Sequence, residues 1–271
     1  MIELSDSQYQ EFCDFLQKIC GISLGENKHY LVNSRLNKVL RDNNITSITE
    51  LLNIVRQSQQ NQLRDRVVDA MTTNETFWFR DNYPFEALKK IILPELLKKP
   101  CSLRIWSSAC SSGQEPYSIS MTLDEYAANR FVIPPIQIVA TDISPTSLEK
   151  AKLATYDEKT LKRGMSDEQR HKFFDRHGNH WQVKEGIRNR VQFRLMNLLT
   201  SYAPLGRFDI IFCRNVLIYF STDIKRDILR RMIAMVNTGG YIFLGSSETM
   251  SGLTDMVEMV KTPLGVFYRV R

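Results

Sequence analysis

Asp142 stands where a ligand-binding carboxylate is expected in an α/β protein. It lies at the end of the apolar run 136–143 and is followed by Ser144 and Pro145, which are favoured at the cap and first position of a helix. A carboxylate between a strand and a helix can accept hydrogen bonds from both vicinal hydroxyls of a ribose. Asp142 therefore predicts a ribose site or, alternatively, a second cap for the helix that follows.

The turn at residues 107–116 limits which nucleotide could bind beside Asp142. It contains a single glycine, Gly113, and no lysine. Both a dinucleotide, which requires Gly-x-Gly-x-x-Gly, and a triphosphate, which requires the P-loop lysine, are therefore disfavoured. Glu115 could accept a hydrogen bond from an ammonium group, or it could simply complement the helix dipole. Adenosine without pyrophosphate is favoured, and S-adenosylmethionine is the common ligand of that kind.

Arg214 and Asn215 interrupt an apolar run just after the predicted strand 208–214. A polar group at this edge of a sheet is costly unless it contacts a ligand or the backbone. We favour contact with a ligand over a purely structural role.

Three consecutive aromatic residues, Phe77, Trp78 and Phe79, precede the sheet and are followed by Arg80. They could form a lid over an adenine, with the guanidinium of Arg80 pairing with the carboxylate of a methionine moiety. The alternative is that these aromatics fill the core at a domain junction.

The elements that would position these residues follow a β-α-β pattern after Pro100. Short apolar runs rich in β-branched and aromatic residues alternate with amphipathic segments, which predicts a parallel sheet. The predicted strands are 103–109, 136–143, 191–197, 208–214, 241–245 and 265–270, and the predicted helices are 114–129, 144–156 and 222–236. The connection between Tyr156 and Val191 is too long for a loop and predicts an inserted subdomain with a short strand at 181–183.

The N-terminal region has a different spacing of apolar residues. Apolar residues from Ser5 to about Met71 recur at spacings of three and four, which predicts a small helical domain at 1–73 before an α/β domain at 74–271. No apolar run is long enough to cross a membrane, and the first residues do not resemble a signal peptide. Five cysteines without a C-x-x-C pair argue against disulfides and zinc, so we expect a cytoplasmic protein (Cys13, Cys20, Cys101, Cys110 and Cys213).

The net charge of +6 arises in the α/β region, where residues 159–194 are especially basic. This stretch could contact nucleic acid, anionic lipid or an acidic protein, or it could be a solvated face. His171, His177 and His180 lie there without carboxylate or thiol ligands beside them, so no metal site is predicted.

Several motifs together resemble the chemotaxis receptor glutamate methyltransferases, the CheR family. The resemblance covers nearly the whole chain. It is carried by Asn74-x-Thr76-x-x-Phe79-Arg80, Ser112-Gly113-Gln114-Glu115-Pro116-Tyr117-Ser118, Ala140-Thr141-Asp142-Ile143, Asn197-Leu198-Leu199 and Phe208-Asp209-x-Ile211-Phe212-Cys213-Arg214-Asn215-Val216-x-Ile218-Tyr219-Phe220.

The resemblance implies a Rossmann-like S-adenosylmethionine-dependent methyltransferase domain, a small all-helical N-terminal domain and a small antiparallel β-subdomain inserted at about 170–192. It implies that Tyr219 and Arg80 act in catalysis and that Arg35, Lys38 and Arg41 bind the helical cytoplasmic domain of methyl-accepting chemoreceptors. The implied cofactor ligands are Asn74, Thr76, Arg80, Glu115, Asp142, Asn197, Leu198, Arg214 and Asn215.

Two positions and one segment depart from the family pattern. Gln114 replaces the more usual Glu, and Cys110 stands where small residues are common. The insert around 176–181 is shorter than in members that grip a receptor's C-terminal pentapeptide, which puts tethering by that peptide in doubt.

The expected reaction is an in-line displacement in which a receptor glutamate attacks the methyl group of the sulfonium. A glutamate with an ordinary pKa of about 4.3 is ionised at neutral pH, so no general base is required. The products are a γ-glutamyl methyl ester and S-adenosylhomocysteine, as expected for adaptation in chemotaxis. Nucleic acid is not an expected partner, although the basic insert makes RNA methylation the alternative reaction. A third possibility is a module that senses S-adenosylmethionine without turnover. The sequence does not indicate the oligomeric state.

Overall fold

The N-terminal part of the chain is a bundle of four helices with its own core. The computed structural model describes residues 4–57, 61–98, 102–128 and 134–271. Ser5 forms a capping box with Gln8 at the start of the first helix, and Gly21, with φ of 79°, ends that helix in the left-handed region. The apolar stripes of the helices face one another around Leu36 and Val67. The helices are α1 (Asp6–Cys20), α2 (His29–Asp42), α3 (Ile48–Gln57) and α4 (Asn61–Met71).

A seven-stranded sheet forms the centre of the second region. Its strand order is β6-β2-β1-β7-β8-β10-β9; the first five of these are parallel, and the last two pair antiparallel. Because the order reverses between β1 and β7, a crevice opens at the carboxyl ends of these strands. The strands are β1 (Leu103–Ser108), β2 (Ile136–Asp142), β6 (Val191–Leu195), β7 (Phe208–Cys213), β8 (Val236–Leu244), β9 (Val257–Thr262) and β10 (Gly265–Val270).

Helices cover both faces of this sheet. Alternate residues of β7 point to opposite faces of the sheet. Ile211 and Cys213 pack into the core on one face, and Ile210 and Phe212 pack into the core on the other. The helices are α5 (Tyr83–Ala87), a π-helical segment (Leu88–Ile92) continuing into α6 (Leu93–Leu96), α7 (Gln114–Ala127), α8 (Pro145–Leu153) and α12 (Thr222–Met235).

A small antiparallel sheet, with strand order β3-β5-β4, interrupts the connection between α8 and β6. Its first strand lies upstream of the range expected for the insert. The remaining elements are β3 (Thr155–Asp157), α9 (Glu158–Lys162), α10 (Asp167–Phe173), β4 (Phe174–His177), β5 (His180–Val183), α11 (Glu185–Arg188) and 3-10 turns at Ala203–Leu205 and Leu217–Tyr219.

This architecture confirms the predicted fold class, but several predicted elements were wrong. The helix expected at 144–156 ends at Leu153, because Ala154 takes a left-handed backbone with φ of 52° and Tyr156 enters β3. Strand β8 begins at Val236 and includes Gly239 and Gly240, where the pattern predicted a helix end and a turn. Strand β9 was not predicted; its exposed charged residues suit the edge of the sheet.

Four of the five cysteines are free thiols, and Cys101 lies outside the described residues. In the part of the chain that the structure describes, no helix is long and apolar enough to span a bilayer.

Candidate active site

A deep cleft lies at the carboxyl ends of β1, β2 and β7 and is closed on one side by the helical bundle. Its empty volume is about 1310 Å³, open mouth included, which is large enough for a cofactor. The structure brings eleven of the predicted site residues into its lining: Arg35, Asn74, Thr76, Arg80, Glu115, Asp142, Asn197, Leu198, Arg214, Asn215 and Tyr219. Lys38 and Arg41 lie elsewhere, exposed on α2.

Asp142 is held rigidly at the floor of this cleft. One carboxylate oxygen accepts the backbone N–H of Ser111 at 2.7 Å, and the other accepts the backbone N–H of Ser144 at 2.8 Å. Burial raises the pKa of the Asp142 carboxyl, and these two hydrogen bonds oppose that rise. Each oxygen still has a lone pair free, so the alternative role as a helix cap and the role as a ribose ligand are compatible.

The turn after β1 brings its backbone close to the cleft although only one of its residues is a glycine. Ala109 and Ser111 have φ of 55° and 49°, and Gly113 has φ of 95°. Left-handed backbone at non-glycine residues is costly and persists where the surroundings impose it. The turn is therefore preformed, with small side chains lining the space beside Asp142.

Glu115 and Arg214 form a buried ion pair. Arg214, whose side chain is 1% exposed, donates to Glu115 at 2.9 Å, to Asp81 at 2.7 Å and to the carbonyl oxygen of Arg80 at 2.7 Å. Ser107 donates to the other oxygen of Glu115 at 2.8 Å. Burial raises the pKa of Glu115, and the guanidinium of Arg214 opposes the rise. Arg214 therefore contacts protein groups and also lines the cleft, and its contact with a ligand stays a prediction.

Only the first of the three consecutive aromatic residues lines the cleft. Phe77 lies between the guanidinium groups of Arg80 and Arg163, each 5.2 Å from the ring centroid. Trp78 is fully buried among residues of the small sheet, and Phe79 packs edge-on against a core phenylalanine. Trp78 and Phe79 therefore fill the core, and a lid stays a prediction for Phe77 and Arg80 alone.

Asn215 and Tyr219 lie on a loop that is tied down by a residue the sequence did not reveal. The carboxylate of Glu248 accepts three backbone N–H groups, from Gly245 at 2.7 Å, Leu217 at 2.8 Å and Asn215 at 2.9 Å. Glu248 is only 9% exposed. A carboxylate accepting charge-assisted hydrogen bonds from both ends of a loop fixes its shape. Nothing in Ser246-Ser247-Glu248-Thr249, an ordinary polar loop sequence, indicates this role.

The helical bundle contacts the same loop. Ser23 donates its backbone N–H to the carbonyl oxygen of Tyr219 at 2.8 Å, and Ile22 forms an isolated antiparallel bridge with Phe220. The side-chain amide of Asn197 donates to the carbonyl oxygen of Ile19 at 2.7 Å. Asn197 therefore joins the two regions at the rim of the cleft.

Arg35 does not lie free on the surface of α2. Its guanidinium donates to the carbonyl oxygens of Met71 at 2.7 Å and Thr72 at 3.0 Å, and to the hydroxyl of Thr73 at 3.0 Å. These residues lead directly into Asn74, so Arg35 fixes the segment that enters the cleft.

The basic insert is partly neutralised. Arg163 pairs with Glu75, Arg170 with Glu158 and Asp167, and Arg190 with Asp124. This pairing lowers the positive charge that the insert presents, without removing it. Among the described residues, no three histidine, cysteine or acidic side chains are arranged to hold a metal ion.

Comparison with known proteins identifies the family to which the chain belongs. The family described as CheR methyltransferase, all-alpha domain, matches residues 7–72, and the CheR methyltransferase, SAM binding domain, matches 74–266. Chemotaxis protein methyltransferase 1 of Pseudomonas aeruginosa is 52% identical over 272 residues, covering 98% of this chain and 99% of that protein. Chemotaxis protein methyltransferase 1 of Vibrio cholerae is 47% identical, covering 100% of this chain and 99% of the relative.

Proposed function

Because the chain belongs to the CheR methyltransferase family, we propose that it methylates glutamate side chains of chemoreceptors in the cytoplasm, for adaptation in chemotaxis. The methyl donor is S-adenosylmethionine, and the products are γ-glutamyl methyl esters and S-adenosylhomocysteine. The observation that carries the proposal is the meeting of Asp142, Glu115 and Tyr219 in one cleft, although they follow three different strands.

The cleft fits the cofactor by the chemistry of its donor set. Asp142 keeps lone pairs for two ribose hydroxyls, and Glu115 keeps lone pairs for an ammonium group. Arg80, which also lines the cleft, can pair with a carboxylate, since within the described part of the chain its guanidinium makes one long hydrogen bond of 3.3 Å, to the carbonyl oxygen of Glu75. Bound S-adenosylmethionine supplies a methyl group on a positively charged sulfur.

The protein's contribution to the reaction is positioning. No histidine is among the described residues that line the cleft, and none is required, because a glutamate nucleophile is ionised at neutral pH. The walls of the cleft exclude water from the attacking carboxylate and fix its approach. Tyr219 stands at the mouth on the loop anchored by Glu248, where its hydroxyl can orient that carboxylate.

The receptor surface is proposed to include α2. Lys38 and Arg41 are exposed on the same helix as Arg35, which lines the cleft. Exposed cations suit the acidic helices of a chemoreceptor's cytoplasmic domain. Pentapeptide tethering is not part of the proposal.

The test uses methyl-labelled S-adenosylmethionine with membranes that contain chemoreceptors from the same cell. We expect label on the receptor band that mild alkali releases as methanol, as a carboxyl methyl ester requires. Label on RNA, lost steeply as salt rises, would replace the proposal with nucleic-acid methylation. Tight cofactor binding without transfer to any receptor would replace it with a sensing module.

A further inference from the structure

The helical bundle is hydrogen-bonded to the region beside the cofactor cleft by a side chain that does not itself line the cleft. Asp69, in the last turn of α4, accepts a hydrogen bond from the hydroxyl of Ser144, which is fully buried. The same hydroxyl accepts the backbone N–H of Ser147 at 3.0 Å, so it caps α8 while it donates to Asp69. One serine hydroxyl therefore joins the two regions of the chain.

Ser144 also holds the carboxylate that faces the cofactor. Its backbone N–H donates to one oxygen of Asp142 at 2.8 Å. Three polar groups thus follow in series, from the carboxylate of Asp69 through Ser144 to the carboxylate of Asp142. Because Ser144 is fully buried, losing its acceptor on α4 would leave its hydroxyl free to rotate away and the turn less well defined.

The second oxygen of Asp142 is tied to the same side of the molecule. Ser111 donates its backbone N–H to that oxygen at 2.7 Å, and its hydroxyl donates to the carbonyl oxygen of Asn74 at 3.0 Å. Asn74 lies three residues beyond the end of α4. Both oxygens of Asp142 are therefore held by serines that are themselves bonded to α4 or to the segment that follows it.

We propose that Asp69 is a positioning residue for cofactor binding, acting through Ser144 to orient the carboxylate of Asp142 toward the ribose. The inference rests on the proposed function, because it takes Asp142 as the ribose ligand. It makes the affinity for the adenosine part of the cofactor depend on the packing of the helical bundle. By linkage, a bound cofactor strengthens the contact between α4 and α8 to the same degree.

The experiment measures the dissociation constant of S-adenosylhomocysteine by calorimetry, with full-length chains carrying Asp69→Ala or Asp69→Asn. Asp69→Ala is expected to weaken binding by about tenfold, the effect of one hydrogen bond to a charged group. Asp69→Asn keeps an oxygen that can accept from Ser144, so it should recover most of the affinity. Asp65→Asn, an exposed site one turn earlier on α4, is the matched control and should bind normally.

Kinetics separate positioning from general weakening of the fold. For Asp69→Ala, the KM for S-adenosylmethionine should rise with the dissociation constant, while kcat and the KM for the receptor stay within twofold of wild type. Equal loss in kcat and in both KM values would overturn the inference, as would unchanged affinity.

Ser144→Ala keeps the inference testable if Asp69→Ala folds poorly, because it removes the other partner of the same hydrogen bond. It should weaken binding by a similar factor, and adding Asp69→Asn to it should cost no further affinity. Normal affinity in Ser144→Ala would contradict the inference. Asp142→Ala tests the premise separately: normal binding by that variant would refute Asp142 as the ribose ligand, whereas weak binding by it and normal binding by Asp69→Ala would refute only the role of Asp69.

Discussion

The carboxylate of Glu248 accepts the backbone N–H of Asn215 across 33 residues of sequence, at 2.9 Å, and so joins the end of β8 to the loop that follows β7. Asn215 has φ of 58°, a left-handed conformation that asparagine tolerates and that this bond and its two companions maintain. Two cleft-lining residues, Asn215 and Tyr219, thus depend on an acid outside the cleft lining.

Replacing Glu248 by Gln should lower kcat by about tenfold and the unfolding free energy by about 1–3 kcal/mol, because the amide would place a donor against backbone donors. Steady-state kinetics and thermal unfolding measure both effects. Glu258→Gln, on the exposed edge strand β9, is the control and should change neither. Normal turnover by Glu248→Gln would show that the loop does not need this anchor.

Tyr219→Phe removes only a hydroxyl at the mouth of the cleft. If the hydroxyl orients the attacking carboxylate, kcat should fall by about tenfold, within the range that positioning can supply. The affinity for S-adenosylhomocysteine should stay within twofold, which calorimetry checks. Full turnover by the variant would remove Tyr219 from the mechanism.

Substitutions of Arg35 and of Lys38 should change the KM values of different substrates. Arg35→Ala frees the segment Met71–Thr73 and is expected to raise the KM for S-adenosylmethionine about fivefold or more, since three hydrogen bonds are lost. Lys38→Ala should raise only the KM for the receptor, by an amount that shrinks at high salt. If Arg35→Ala changed the receptor KM alone, its observed contacts would not be its functional ones.

Gly164 allows the inserted subdomain to pack closely against the backbone of Trp78. A Cβ atom there would lie 2.0 Å from the carbonyl oxygen of Trp78, and its φ is +96°. Gly164→Ala should therefore lower the unfolding free energy by about 2 kcal/mol or more, seen as a lower Tm. Gly186→Ala, with open space around its Cβ and a place in α11, should instead stabilise slightly. Equal melting temperatures for the two variants would contradict the close approach.

Cofactor affinity should weaken on acidification at a higher pH than an ordinary aspartate would require. The pKa of Asp142 is raised above its usual value of 3.8 by burial, so the carboxylate is protonated, and one acceptor oxygen is lost, as pH falls through that raised value. Calorimetric titrations of S-adenosylhomocysteine across the acidic range measure this. In Asp142→Asn the affinity should be lower and should depend less on pH. An unchanged pH dependence would assign the titration to another group, such as Glu115.

The sequence predicted the parts of the site that depend on local pattern. Apolar runs located the strand ends that carry Asp142 and Arg214, and the glycine-poor turn restricted the nucleotide. The ion pair between Glu115 and Arg214 could not be predicted, because it joins residues 99 positions apart that only the order of the strands brings together.

Other features were hidden because their local signals are weak. Strand β3 has three residues, too few to show alternation, and the helix before it ends at Ala154 without a glycine. Glu248 is one acid in a polar loop, and only the three backbone groups around it reveal its role.

The hydrogen bond from Ser23 to Tyr219 joins the helical bundle to the second region, which matters if the chain is cut into two fragments. Part of the cleft lining comes from before residue 74, including Cys20, Arg35 and Thr73, so fragments separated after residue 73 would each hold part of a site and neither would hold a whole one. Such a pair would suit a split reporter, in which methyl transfer is restored only when the two pieces reassemble and the joined half-sites close around the cofactor.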